Sequence, residues 1–110
     1  MASRQSTVDF ILDLIEEAGS VSAKKMFGDY ALYCNNKVVA LICDDQLFVK
    51  PTNAGKAFIN NYVEGTPYPG AKPYLLISAE LWDEREWLTN LIQITALEVP
   101  APKKKSVIKK

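Results

Sequence analysis

The sequence predicts an α+β domain, in which an antiparallel sheet packs against helices from the N-terminal, middle and C-terminal parts of the chain. Residues 24–50 hold three short apolar runs separated by two polar pairs, Asn35-Asn36 and Asp44-Asp45, which is typical of a three-stranded meander. Amphipathic helix patterns lie on both sides of this segment. A further apolar run, residues 74–78, fits a fourth strand that returns to the sheet.

The two polar pairs predict the register of the meander. Asn and Asp accept the positive φ of a two-residue hairpin loop, so each pair is placed at a loop centre. The expected opposing pairs are Tyr33 with Val38, Leu32 with Val39, Tyr30 with Leu41, Leu41 with Phe48, and Ile42 with Leu47. One face then carries Tyr30, Leu32, Val39, Leu41 and Phe48, and the other carries Ala31, Tyr33, Val38, Ala40, Ile42, Leu47 and Val49. Because the central strand is apolar on both sides, we expect helices on one face and another cover on the other face.

The first helix is predicted over residues 3–18. Apolar residues recur there at spacings of three and four, at Val8, Ile11, Leu12, Ile15 and Ala18. Gly19 is the expected stop. Residues 21–27 alternate weakly and are predicted to lead straight into the first strand of the meander, with a bend or bulge at Gly28.

A second, weaker helix is predicted from a cap at Thr52 or Asn53 through Val63. Residues 64–74 contain three prolines and two glycines, a composition typical of an ordered loop. The strongest helix pattern covers residues 83–97, where Asp83 and Glu86 have capping-box spacing. Trp82 precedes that cap, in the position of a hydrophobic staple.

Length and composition indicate one globular domain. The chain has 110 residues, of which 48% are hydrophobic and 24% are charged, and we assign residues 1–100 to the domain and 101–110 to a disordered lysine-rich tail. No apolar run approaches the length of a membrane span, and the first six residues lack the hydrophobic segment of a signal peptide. We therefore expect a cytoplasmic protein that does not enter a membrane.

Two cysteines, Cys34 and Cys43, are predicted to be free thiols. The register places them several residues apart along the ladder, too far for a disulfide. Two cysteines without any histidine are also too few soft ligands for a structural zinc site. A redox or nucleophilic role would need a neighbour that lowers the thiol pKa, and packing is the interpretation we favour.

The net charge of zero hides an uneven distribution. Removing the five lysines of the tail leaves eight basic and thirteen acidic side chains, a net charge of minus five over residues 1–100. An acidic body argues against a duplex-binding domain, because affinity for nucleic acid depends mainly on neutralised phosphates. The tail lysines allow weak, sequence-independent contact with nucleic acid, or they act only to aid solubility: Lys103, Lys104, Lys105, Lys109 and Lys110.

Catalytic chemistry is not indicated. Without histidine, the serine–histidine and cysteine–histidine nucleophile systems are excluded, and no phosphate-binding glycine motif is present. We interpret Asp44-Asp45 as turn-forming residues and not as a metal site. The aromatic residues Tyr30, Tyr33, Phe48 and Tyr68 either line a ligand groove or, more commonly for such a meander, belong to the core. We predict no catalytic residue, no cofactor and no metal.

Two segments resemble a known family. KKMFGDYALY (residues 24–33) and ALICDDQLFVK (residues 40–50) are similar to the N-terminal domain of the TfoX/Sxy competence regulators, and the similarity extends over about residues 5–80. The resemblance implies a bacterial, non-enzymatic α+β domain. It also implies a link to positive regulation of DNA-uptake genes alongside the cyclic-AMP receptor protein.

Two functional hypotheses follow. The first is a regulatory interaction module that binds a protein, for example one of the transcription machinery, through an apolar sheet face or beside residues 67–70. Its candidate contact residues are Phe27, Tyr30, Tyr33, Phe48 and Tyr68. The second is a small nucleic-acid-associated protein that uses its basic tail. An enzyme or small-molecule sensor would instead need a closed polar pocket with an acid beside Tyr30 or Tyr33. We also expect self-association, because only three helices are available to cover a doubly apolar sheet.

Overall fold

The computed structural model describes residues 4–26 and 29–99. Gly28 and the tail from residue 101 onward, for which a bend and disorder are predicted, lie outside these ranges. The helices are α1 (Gln5–Leu14), α2 (Asn53–Ile59) and α3 (Arg85–Glu98), with short 3-10 helices at Glu16–Ala18 and Ala79–Asp83. The strands are β1 (Val21–Met26), β2 (Asp29–Cys34), β3 (Lys37–Cys43), β4 (Gln46–Val49), β5 (Val63–Gly65) and β6 (Tyr74–Ile77).

The strands form one antiparallel sheet in the order β1-β2-β3-β4-β6-β5, which confirms the predicted α+β class. Two strands were not predicted as such. Residues 21–26 do not lead straight into the meander, because they pair antiparallel with β2 along their whole length, from Val21 opposite Cys34 to Met26 opposite Asp29. Residues 63–65, assigned to the end of a helix and the start of a loop, pair with β6 instead.

Both hairpin turns form at the predicted pairs. Asn35 and Asn36 have φ values of 54° and 67°, and the two aspartates have values of 54° and 59°. Of the expected pairs, Tyr33 with Val38, Leu41 with Phe48, and Ile42 with Leu47 are confirmed.

The other two expected pairs are wrong by one residue. Leu32 opposes Ala40 and Tyr30 opposes Ile42, because the register shifts between Leu32 and Tyr33. Such a bulge sets two residues against one and shifts the alternation on one side of it. As a result, and contrary to the prediction, Tyr30 and Leu32 do not share a face with Phe48. They lie on the opposite face, with Ile42, Leu47 and Val49.

The main core lies between one face of the sheet and the three helices. The stripe predicted for the first helix is confirmed: Val8, Ile11, Ile15 and Ala18 are buried, although α1 ends at Leu14 and continues as a 3-10 helix. Leu88, Leu91 and Ile92 of α3 are fully buried in the same cluster. Burial of this apolar surface contributes about 25 cal/mol per Å² to folding.

The ends of α2 and α3 differ from the prediction. Thr52 does cap α2, since its Oγ1 accepts the Gly55 N–H at 2.9 Å, but the helix ends at Ile59 because Asn60 has a φ of 74°. Asp83 and Glu86 form no capping box. Residues 79–83 form a 3-10 helix that ends at Asp83, and α3 has no side-chain cap. Trp82 is buried, and its indole N–H donates to the Ile77 carbonyl at 3.2 Å.

Candidate functional site

The side of the sheet opposite the helices carries a second apolar cluster. Its floor consists of Ala31, Leu41, Cys43 and Phe48, and its rim of Tyr33, Val38, Tyr74 and Leu76. None of these eight residues belongs to a helix, and we call this surface the helix-free face. It draws on four strands, because alternate residues of β2, β3, β4 and β6 point to the same side.

The rim shields the floor. The floor residues are only 1–9% exposed, although no helix of the described residues packs over them. The rim residues are half-buried. The partly exposed rim side chains, among them Tyr33 and Tyr74, therefore shield the floor from solvent and form a shallow apolar surface.

The strand β5 and the loop after it border this surface. The backbone of Gly65 lies so close to Phe48 that an added Cβ would stand 3.2 Å from Cε2 of the ring. Tyr68 is 55% exposed. Burial raises the pKa of Tyr74, and the nearby Tyr68 and Cys43 raise it further, so these three side chains share one neighbourhood at the rim.

Charge is distributed unequally between the two layers. The helices, counted with their N-cap residues, carry three basic residues, Arg4, Lys56 and Arg85, and nine acidic residues: Asp9, Asp13, Glu16, Glu17, Glu80, Asp83, Glu84, Glu86 and Glu98. On the strands, the pairing places Lys24 beside Ala31 and Asp29 beside Met26, on the side of the helix-free face. The helical layer is therefore strongly acidic, whereas these two strand charges on the opposite side balance.

Both thiols are buried, and the pKa of each is raised above its ordinary value. Burial raises the pKa of Cys43 to about 11, and the charge of Asp29 and its hydrogen bond with the thiol add to the rise. Burial also raises the pKa of Cys34, which Lys37 partly offsets, and its Sγ donates to the Ala18 carbonyl at 3.8 Å. Both cysteines are free and buried, which confirms the predicted absence of a disulfide between them.

The structure brings three of the predicted contact residues to one side. Phe48 lies in the floor, Tyr33 in the rim, and Tyr68 beside the rim. The assignment of Tyr30 to the same surface is wrong: the bulge turns it to the main core, where it is buried and its hydroxyl donates to Gln5 Oε1 at 3.0 Å. Phe27 and the tail lysines, Lys103, Lys104, Lys105, Lys109 and Lys110, lie outside the described residues.

Three rim residues were missed by sequence reasoning: Val38, Tyr74 and Leu76. The alternation within the fourth apolar run was an available signal, since Tyr74 and Leu76 are two residues apart and therefore share a face. Val38 was correctly assigned to the face of Tyr33, but that face was wrongly placed opposite Phe48, and Val38 was not included in the contact set.

In residues 4–26 and 29–99, no three Cys, Asp or Glu side chains come together as metal ligands would. A groove of about 310 Å³ runs past Asp45, Ser78 and Trp82, but neither Tyr30 nor Tyr33 lines it. The Asp45 carboxylate at its edge already accepts hydrogen bonds from Arg4 and Thr7. None of the helices described has the length and hydropathy of a membrane span.

The chain is similar to known proteins over most of its length. Residues 13–98 match the family model of the TfoX N-terminal domain, a range that includes α3 as well as the sheet. The chain is also 40% identical over 103 residues to the uncharacterized 12.7 kDa protein in the trpE 5′ region of Spirochaeta aurantia, covering 94% of this chain and 89% of that protein. The chain therefore belongs to the TfoX N-terminal domain family.

Proposed function

We propose that this chain is a non-enzymatic regulatory domain that acts by binding a protein partner through the helix-free face. The observation that carries the proposal is an eight-residue apolar cluster over which none of the described helices packs, bordered by the aromatic side chains of Tyr33, Tyr68 and Tyr74. Tyrosine combines a large apolar area with a hydroxyl group, which is why it is frequent in protein interfaces. The half-buried rim is the part of this surface available for contact.

Three side chains that could serve in catalysis are either neutral or engaged in hydrogen bonds. The chain contains no histidine. The Cys43 thiol is held neutral by its raised pKa. The carboxylates of Asp45 and Glu98 accept backbone N–H groups of Arg4, Asn53 and Ala54. These observations favour a domain that recruits another molecule over one that transforms a substrate.

Family membership suggests the biological setting. The TfoX/Sxy resemblance implies positive regulation of DNA-uptake genes alongside the cyclic-AMP receptor protein. We therefore propose that the partner belongs to the bacterial transcription machinery, and that binding occurs in the cytoplasm. An acidic helical layer disfavours direct contact of that layer with DNA, which supports a role through protein contacts.

The test compares two substitutions that add the same charge in different layers. Leu76→Lys changes the rim, whereas Leu97→Lys changes a residue of α3 that is 79% exposed. Crosslinked complexes are purified from the native cell with each variant, and the partner is identified and then titrated as a purified protein by calorimetry. We expect Leu76→Lys to weaken binding by about tenfold or more, and Leu97→Lys to leave it unchanged.

Val38→Lys provides a second rim variant, and circular dichroism verifies that each variant is folded. Equal affinity of the rim variants and Leu97→Lys for the partner would exclude the helix-free face as the binding surface.

The second candidate function is nucleic-acid association through the basic tail. It is favoured by the five lysines without an acid in residues 101–110. Titration of duplex DNA at two salt concentrations, with and without residues 101–110, separates the two functions. Weak binding that disappears with the tail or at higher salt supports this candidate. Strong binding that is independent of the tail contradicts the protein-partner proposal.

A further inference from the structure

We infer that a second copy of this chain covers the helix-free face when the protein partner is absent. The inference rests on the proposed function in one respect, since it assigns a regulatory state to the same surface. In that state the rim residues Tyr33, Val38, Tyr74 and Leu76 pack against those of a second molecule, and the partner must displace that molecule to bind.

Charge selects the surface through which two copies can meet. Contact between two helical layers would bring nine acidic and three basic residues of each copy together, with repulsion between like charges. The strand charges identified on the side of the helix-free face are Lys24 and Asp29, which balance. Contact through that face therefore combines apolar burial with little repulsion.

The sheet edges are poor alternatives. The edge strand β1 carries Lys24 and Lys25, and the other edge strand, β5, is only three residues long. Edge lysines and short edge strands are the usual means by which proteins prevent edge-to-edge pairing. A second copy is therefore expected to stack on the sheet, with the two sheets about 10 Å apart, and not to extend it.

The size of the face indicates a weak dimer. The cluster draws on four strands, which at about 4.8 Å spacing span roughly 19 Å, and four or five residues along a strand add roughly 15 Å. Two such faces bury on the order of 600 Å² in total, which is below the size of a stable specific interface. We therefore expect a transient dimer with a dissociation constant on the order of 100 μM, which a protein partner can outcompete.

Light scattering and sedimentation over about 5–500 μM test the inference on the full chain. We expect a monomer–dimer equilibrium that Leu76→Lys and Val38→Lys shift toward monomer by about tenfold or more, and that Leu97→Lys leaves unchanged. Salt adds a second criterion. An apolar sheet contact changes little with added salt, whereas a contact through the acidic helical layer would strengthen as repulsion is screened.

A monomer at every concentration overturns the inference, and so does a dimer that both rim variants leave intact. These failures are distinguishable from failure of the proposed function. A monomer that still loses its partner on Leu76→Lys contradicts only the self-association. A dimer that depends on Leu76 in a protein whose partner binds equally to all variants contradicts only the proposed binding surface.

Discussion

The carboxylate of Glu98, in the last turn of α3, accepts the backbone N–H of Asn53 at 2.8 Å and thereby caps the start of α2. Its other oxygen accepts the Ala54 N–H at 2.9 Å. Asp45 makes the equivalent contact at α1, where Oδ1 accepts the Arg4 N–H at 2.8 Å. Both helix starts thus receive an acceptor from a residue more than forty positions away. Such acceptors satisfy helix N–H groups that have no partner within the helix.

This capping predicts a specific acid sensitivity. Hydrogen bonds from Ala54 and Asn53 hold the pKa of Glu98 below its ordinary value, and the Arg4 N–H is the main cause of a lowered pKa at Asp45. A lowered folded pKa stabilises the fold above the ordinary carboxyl pKa, and the stabilisation is lost as the pH falls through the folded value. We expect the melting temperature to fall between about pH 5 and pH 2.

Glu98→Gln removes the titrating group and tests this sign. The difference in melting temperature between wild type and Glu98→Gln is expected to be largest near neutral pH and to shrink on acidification. Glu64→Gln, on the exposed edge strand β5, is the control. A difference for Glu98→Gln that stays constant over the whole acid range would contradict the assigned role of the carboxylate.

Cys43 predicts a loss of stability on the alkaline side. Its folded pKa is raised to about 11, chiefly by burial. The unfolded thiol ionises near pH 8.5, so stabilisation by the neutral thiol is complete below about that pH and is lost as the pH rises toward the folded pKa. Urea denaturation of wild type and Cys43→Ala between about pH 8 and pH 11 measures this. If the free energy of unfolding falls equally with pH in wild type and in Cys43→Ala, another group is responsible for the loss.

The Asn35-Asn36 turn predicts opposite effects of two substitutions. Asn36 has a φ of 67°, which glycine adopts freely and valine does not. Asn36→Val is expected to reduce the free energy of unfolding by about 1–2 kcal/mol, whereas Asn36→Gly leaves it equal or slightly higher. Asn61→Val is the matched control, because Asn61 does not have a positive φ. Similar losses for both valine variants in urea denaturation would argue against backbone strain as the cause.

Alanine substitutions at two glycines distinguish the cost of backbone strain from the cost of a steric clash. Gly19 and Gly70 both have positive φ, but a Cβ at Gly19 would stand 2.8 Å from Asn35 Oδ1, while nothing lies within 4 Å at Gly70. That Asn35 oxygen also accepts the Ser20 N–H at 3.0 Å. We expect Gly70→Ala to cost about 1 kcal/mol and Gly19→Ala about 2–4 kcal/mol by thermal or urea unfolding. Equal decreases in the free energy of unfolding for the two variants would mean that the clash at residue 19 is relieved at no energetic cost.

Features that depend on a few neighbouring residues could be predicted from the sequence. The two hairpin turns form at the asparagine and aspartate pairs, because their backbone conformation is set by the residues themselves. The buried stripe of α1 was predicted for a similar reason, since its periodicity is a local property. The free cysteines follow from the same register, which separates them along the ladder.

The candidate site was only partly predictable. Alternation placed Tyr33 and Phe48 in strands, but a bulge between Leu32 and Tyr33 decided which of the aromatic residues share a face. A bulge depends on how two strands fit together and leaves little signal in either strand alone. For this reason Tyr30 was assigned to the wrong side, and the rim formed by β6 was missed.

Turn positions, helix stripes and the α+β class were determined by the sequence itself, because each follows from the conformational preferences and spacing of nearby side chains. The tertiary structure decided which strands pair, that β1 and β5 join the sheet, and that Asp45 and Glu98 cap distant helices. It also decided that α1, α2 and α3 pack on one face of the sheet and that no helix in residues 4–26 and 29–99 packs on the other. These outcomes depend on contacts between segments far apart in the chain, whose energies are set only when the whole domain is packed.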